Sequence, residues 1–177
     1  MSSTTIRMFK WFWAWDDEKE EQWLRAMSQR GCHLRSVWFP CYYTFEAGEP
    51  CDYVYRLDYS TDRKDYQNYL QLFLDAGWTH LGEYGGWQYF RTDAPPGEAP
   101  EIYTDNDSKL SKYRRVIVML CALVIFPVLM LTTGRAGEAS GTFQNMVRFL
   151  GFLLLLLYAY ALLKLLQRIA WLKRSPR

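Results

Sequence analysis

Between Arg115 and Arg135 the chain runs for nineteen residues, Val116 to Gly134, without a charged side chain. A helix of that length reaches roughly 28 Å, about the thickness of a bilayer's hydrocarbon core. A second apolar run, Phe149 to Leu163, follows after a short link. The sequence therefore reads as two parts. Residues 1–93 form a soluble α+β domain, 94–112 a linker rich in Pro and acids, and 113–173 a transmembrane hairpin with spans at about 115–134 and 146–166. The competing reading, two buried helices of a soluble core, is disfavoured because ~18 consecutive apolar residues already argue for a span.

Charge sets the expected orientation. Lys109, Lys112, Arg114 and Arg115 precede the first span, and Arg168, Lys173, Arg174 and Arg177 follow the second, with Lys164 placed to snorkel. The link carries Arg135, Glu138 and Arg148. Cationic flanks stay on the cytoplasmic side during insertion, so both termini are expected inside and the link outside. Trp171 and Tyr113 sit where aromatic rings favour the interface. Neither apolar stretch contains Asp, Glu, His or Arg. Ion and proton pathways usually need such groups, so the hairpin reads as an anchor or a partner-binding surface and not as a pore. Pro127 is expected to kink the first span.

In the first part the hydrophobic period changes repeatedly. Ile6–Trp15 alternates and reads as a strand. Glu18–Arg30 places Trp23, Leu24 and Met27 on one helical face, with Asp16 or Asp17 as cap and Gly31 as stop. His33–Phe45 and Asp52–Tyr59 read as strands joined by the turn-forming residues 47–50. Asp65–Ala76 is again helical, with Tyr66, Tyr69, Leu70, Phe73 and Leu74 inward and Gly77 as stop. Thr79–Thr92 closes the domain as a strand region bent at Gly85-Gly86. The order β-α-β-β-α-β, supported by an internal repeat, points to a ferredoxin-like split β-α-β fold. Superposing Gly77 on Gly31, an offset of 46 residues, aligns Tyr69 with Trp23, Leu70 with Leu24, Phe73 with Met27, Tyr84 with Trp38 and Tyr89 with Tyr43.

Two short helices cannot cover all the aromatic surface of such a domain. Trp11, Trp13 and Trp15 alternate with Lys10, Phe12 and Ala14, and Tyr53 and Tyr55 flank Val54. An uncovered aromatic face normally marks a partner, a ligand or the membrane interface. Trp11, Trp13, Trp15, Tyr53 and Tyr55 are the candidate binding face. The competing reading makes them the core of a small domain.

Recognisable catalytic chemistry is not apparent. The acidic run Asp16-Asp17-Glu18 with Glu20-Glu21 falls at a helix N-terminus, where the helix dipole stabilises anions. Cys32, His33 and Cys51 could in principle supply the three ligands of a metal site, but adjacent strand residues point to opposite faces. No metal and no cofactor is expected. Gly85-Gly86 belongs to no phosphate-binding motif. A net charge of +2 and the lack of a basic stripe over residues 1–100 argue against nucleic acid. The four cysteines, Cys32, Cys41, Cys51 and Cys121, form no C-x-x-C pair, and the opening residues lack the pattern of a secretory signal. The thiols are expected to be reduced.

Trp15-Asp16, Glu21 through Leu24, Gly31 through Leu34, Ala76 through Trp78 and Trp87 through Arg91 make a recurring pattern. By that pattern, residues 5–95 and the trailing pair of spans resemble an uncharacterised bacterial membrane-protein family, domain of unknown function 2812. Its members are often encoded beside PadR-type regulators. The resemblance implies the bacterial cytoplasmic membrane and a part in a small regulatory pair, and it carries over no catalytic residue. The expectation is a non-enzymatic, membrane-anchored cytoplasmic binding or regulatory module, with the lipid bilayer and a protein partner or second copy as contacts. The alternative is an accessory subunit of a membrane transporter or export complex. There the hairpin itself would be the contact surface, with Gly151, Ala159 and Ala161 allowing close packing.

Overall fold

A computed structural model of the protein describes residues 4–38, 41–60, 64–93, 95, 106–132 and 141–174. The chain divides into two compact units, Met1–Ser108 and Lys109–Arg177.

The first unit runs β1 (Thr5–Phe9), α1 (Asp17–Ser28), β2 (Cys32–Trp38), β3 (Tyr42–Ala47), β4 (Val54–Tyr59), α2 (Tyr66–Asp75), β5 (Thr79–Tyr84) and β6 (Trp87–Thr92). It holds two three-stranded antiparallel sheets, ordered β1-β3-β2 and β4-β6-β5. The single four-stranded sheet expected of a β-α-β-β-α-β chain is therefore replaced by two β-α-β-β halves. Each long strand region holds a hairpin. Thr79–Thr92 turns at Gly85 and Gly86, whose φ angles of 58° and 87° suit a two-residue turn of primed type. His33–Phe45 is divided into β2 and β3, paired antiparallel, with Cys41 before β3 at φ 61°.

The first strand is also shorter than its alternation suggests. It ends at Phe9. Lys10 still donates its N–H to the Cys41 carbonyl at 3.1 Å, and the chain then leaves the sheet and turns, with Asp16 N–H donating to Trp13 at 2.8 Å. Trp11, Trp13 and Trp15 thus lie in the segment entering α1 and not on a strand.

The two halves share local detail. Gly31 and Gly77 close their helices at φ 78° and 82°. The second strands slip at the same place, between Leu34 and Ser36 and between His80 and Gly82, an offset of 46 in both. The hairpins differ. Trp38 pairs Tyr42 across three residues, whereas Tyr84 pairs Trp87 across two. That one missing residue moves every side chain of β6 to the opposite face relative to its alignment with β3. Gln88, not Tyr89, takes the place of Tyr43, and Phe90 that of Phe45, against the helix of its half.

Phe90 accordingly packs with Phe73 and Trp78 under α2, its ring 3.8 Å from that of Phe73. Tyr89 points the other way, into the main core with Leu24, Met27, Leu34, Tyr43, Phe45, Tyr55 and Leu57. Helix α1 lies between the sheets. Trp23 packs on Tyr43 and Phe45 of the first sheet, while Glu21 accepts the Leu57 N–H of the second at 2.8 Å and pairs with Arg56 at 3.0 Å. On α2, Phe73 is buried, but Leu74, expected inward, is 51% exposed.

The second unit holds α3 (Asn106–Leu123) from Lys109 onward, α4 (Ile125–Thr132) and α5 (Thr142–Arg174). The helical path breaks at Val124, three residues before Pro127, which has no N–H to donate one turn back. Of the expected linker, residues 94 and 96–105 lie outside the described residues, and 106–112 already belong to α3. Most of the link 134–142 is likewise outside them. Two helical segments, Lys112–Thr132 and Thr142–Arg174, are long and apolar enough to cross a membrane. Their most apolar windows are just 11% and 17% buried, unlike a soluble core helix. Where α4 meets α5, Gly151 is in close contact: an added Cβ would stand 3.1 Å from both the Pro127 carbonyl oxygen and the Met130 Cβ. Ala161 is buried and Ala159 exposed. Arg168 stacks 5.0 Å over Trp171 near the C-terminal end of α5.

Candidate functional site

Helix α1 carries its buried residues at Asp17, Glu20, Glu21, Leu24, Met27 and Ser28. Those positions follow one another at intervals of three and four, a single inward stripe. The stripe is apolar at its C-terminal end and acidic at its N-terminal end. Asp16 stands at the N-cap without making a side-chain cap; its carboxylate takes Lys19 Nζ at 2.6 Å instead. Of the acids that follow it, Glu18 is exposed, but Asp17 and Glu20 are 2% and 7% exposed.

Glu20 is held from both sheets. Tyr43 of β3 donates its hydroxyl to Oε1 at 2.7 Å, and Tyr89 of β6 donates to the same oxygen at 2.8 Å. Burial raises the Glu20 pKa to about 7 against the lowering by the two phenols, and nearby Asp17 and Glu21 push it the same way as burial. Desolvation and the adjoining carboxylate drive both phenols well above their ordinary value, so they stay protonated as donors. This arrangement depends on the short β5–β6 turn. A third residue there would put Tyr89 on the α2 side of its sheet and leave Glu20 with Tyr43 alone.

Above Glu20 opens a cavity of about 430 Å³. That volume falls within the roughly 300–1,000 Å³ of small-molecule sites. Its walls come from three places. Trp11, Phe12, Trp13 and Ala14 descend from the segment before α1, Cys41 and Tyr43 from the first sheet, and Leu57, Tyr84, Gly85, Trp87 and Tyr89 from the second. Asp17 and Glu20 complete it. The tryptophans order one another: Trp13 stacks on Trp15 at 5.2 Å with planes 3° apart, and Trp11 meets Trp13 edge-on at 5.6 Å. Trp11 and Trp13 are 53% and 40% exposed at the rim. Lys10 Nζ lies over two rings, 4.7 Å from that of Trp23 and 5.3 Å from that of Phe12, which lines the cavity. Burial pushes the Cys41 thiol up.

The five residues of the expected binding face are not brought together. Trp11 and Trp13 line the cavity, and Trp15 backs Trp13. Tyr55 is buried in the core, its phenol also raised by burial. Tyr53 packs elsewhere, edge-on to His33 and under the Arg91 guanidinium at 4.3 Å. Sequence reasoning missed Glu20, Tyr43, Tyr84, Trp87 and Tyr89. Glu20 was discoverable, because it lies four and seven residues before Leu24 and Met27 on the inward face. Among the described residues no group of three or more His, Cys, Asp or Glu is placed to hold a metal ion.

No curated protein and no solved structure matches this chain. A family described as a protein of unknown function, DUF2812, matches residues 16–125, a range that takes in Asp17, Glu20 and both tyrosine partners but begins beyond Trp11 and Trp13. Since the match covers well over half of the 177 residues, the chain belongs to the DUF2812 family.

Proposed function

We propose that this protein is a membrane-anchored cytoplasmic binding module. It takes a small, largely apolar ligand into the cavity between its sheets and passes on the bound state as a regulatory signal, without chemistry on the ligand. The observation that carries this reading is the cavity itself. Seven of the thirteen described lining residues are aromatic, and the hydroxyls of Tyr43 and Tyr89 converge on Glu20. Rigid rings give contact area at low entropic cost, and a few convergent polar atoms orient the ligand. The two apolar helices hold the module at the bilayer, with the basic flanks of both spans on the cytoplasmic side.

The test is photolabelling of the full-length protein in nanodiscs with 3-trifluoromethyl-3-phenyldiazirine, an uncharged probe of suitable size. Labelled peptides are expected to include residues 11–14 and 84–89 besides the two spans. Trp11→Ser with Trp13→Ser is expected to remove the first set and leave the span labels unchanged. Label confined to the spans in the unaltered protein would overturn the cavity reading.

A further inference from the structure

Resting on that reading, the geometry points to a narrower ligand class: an organic ammonium cation, its charge over Glu20 and its apolar body against the tryptophans. The walls favour positive charge. The faces of Trp11, Trp13, Trp87 and Tyr84 carry the negative lobe of the ring quadrupole, which attracts a cation within about 6 Å. The charged groups favour it as well. Among the described lining residues the acids are Asp17 and Glu20, one helical turn apart, and there is no Lys, Arg or His. A carboxylate or phosphate brought there would face two buried acids; an ammonium would neutralise one. Both phenols converge on Oε1 of Glu20, leaving Oε2 without a hydrogen bond from the described residues.

The site is also coupled to protons. The ionisable groups around Glu20 are Asp17 and Glu21 on α1, Cys41 in the turn before β3, Tyr43 on β3 and Tyr89 on β6. None is a cation. With its pKa raised to about 7, Glu20 is protonated in part of the population at neutrality. A bound ammonium stabilises the carboxylate, so binding releases the Glu20 proton to solvent and tightens as pH rises through 7. A neutral ligand of the same shape gains nothing from the ionisation.

The probes are phenyltrimethylammonium, which has no titrating group, and 3-tert-butylphenol, whose hydroxyl titrates only near pH 10; both carry the same branched head on a benzene ring and they differ in charge. They are titrated into full-length protein carrying 5-fluorotryptophan, in a non-ionic detergent, with fluorine resonances assigned by single Trp substitutions. The cation is expected to shift the Trp11 and Trp13 resonances and to bind about tenfold tighter at pH 8 than at pH 6, as a single group titrating midway requires. The phenol is expected to bind more weakly, without that rise. Glu20→Gln, which keeps an acceptor for both tyrosines, is expected to weaken the cation about tenfold and to remove its pH dependence. Should that variant lose the wild-type dispersion of fluorine shifts, Trp13→Leu carries the test: the cation is expected to weaken several-fold more than the phenol. A phenol that binds as tightly as the cation, or a cation indifferent to both substitutions, would overturn the charge preference and leave the cavity reading standing. If neither probe moves Trp11 or Trp13, both readings fall.

Discussion

The Glu20 carboxyl links folding to pH with a definite sign. Its folded pKa lies near 7 against an ordinary 4.5. Below 4.5 it is protonated folded or unfolded and has no differential effect. As pH rises from 4.5 towards 7 the unfolded chain ionises first, so the folded state loses stability, and above 7 the full cost of about 3 kcal/mol is present. A glutamine has no such cost. Comparing Glu20→Gln with wild type cancels groups that move oppositely, such as Asp52, whose pKa is lowered mainly by its hydrogen bonds from Arg25. The variant is expected to gain about 3 kcal/mol relative to wild type between pH 4 and pH 8. Thermal melts of full-length protein in detergent across that range check this. A difference that does not change with pH would mean Glu20 ionises normally in the fold.

At the scale of elements, the internal repeat supplies its own control. Gly31 and Gly77 end α1 and α2 with the same left-handed φ, so alanine at either strains the backbone by about 1–2 kcal/mol. Their surroundings differ. A Cβ at Gly77 meets nothing within 4 Å, whereas at Gly31 it would clash with the Gly48 carbonyl oxygen, a backbone atom fixed where Gly48 N–H donates to the Gly31 carbonyl at 2.8 Å. Gly31→Ala is therefore expected to destabilise by at least about 2 kcal/mol more than Gly77→Ala, because main chain must move. Denaturant midpoints of the two variants decide it, and equal values would refute the close approach. A second contrast comes from the aromatic rungs Phe9–Tyr42–Trp38 and Tyr59–Trp87–Tyr84, which occupy matching register in the two sheets. Phe9 is 56% exposed and Tyr59 2%. Phe9→Ala is expected to cost under about 1 kcal/mol and Tyr59→Ala about 3 kcal/mol in the same assay. These contrasts also show how far the sequence could be read. The helices, their glycine stops and the repeat were visible as local patterns. Gly85-Gly86 marked the bend in residues 79–92, though not that it reverses the chain, and the hairpin inside 33–45 was not visible, because alternation continues there with no change of period.

For the whole molecule, the arrangement to test is two spans with both ends inside. Single cysteines placed within 134–142 are expected to react with a membrane-impermeant maleimide on intact cells, and those within 94–105 only after permeabilisation. The reverse pattern would invert the protein and remove the cavity from the cytoplasm. The packing of α4 on α5 bears on the rival role as an accessory subunit. Gly151, one of the small residues available for docking another helix, is already against Pro127 and Met130 of its own chain. What the sequence determined by itself is whatever depends on neighbours within a few turns: apolar runs matched to a bilayer, helical stripes, and stops at Gly31 and Gly77. Only the tertiary structure decided that α1 would lie between two sheets, that a turn shorter by one residue would swing Tyr89 towards Tyr43, and that Glu20 would be caught between them. Side-chain facing depends on register, and register in two sheets is set by contacts dozens of residues apart, which no local pattern records.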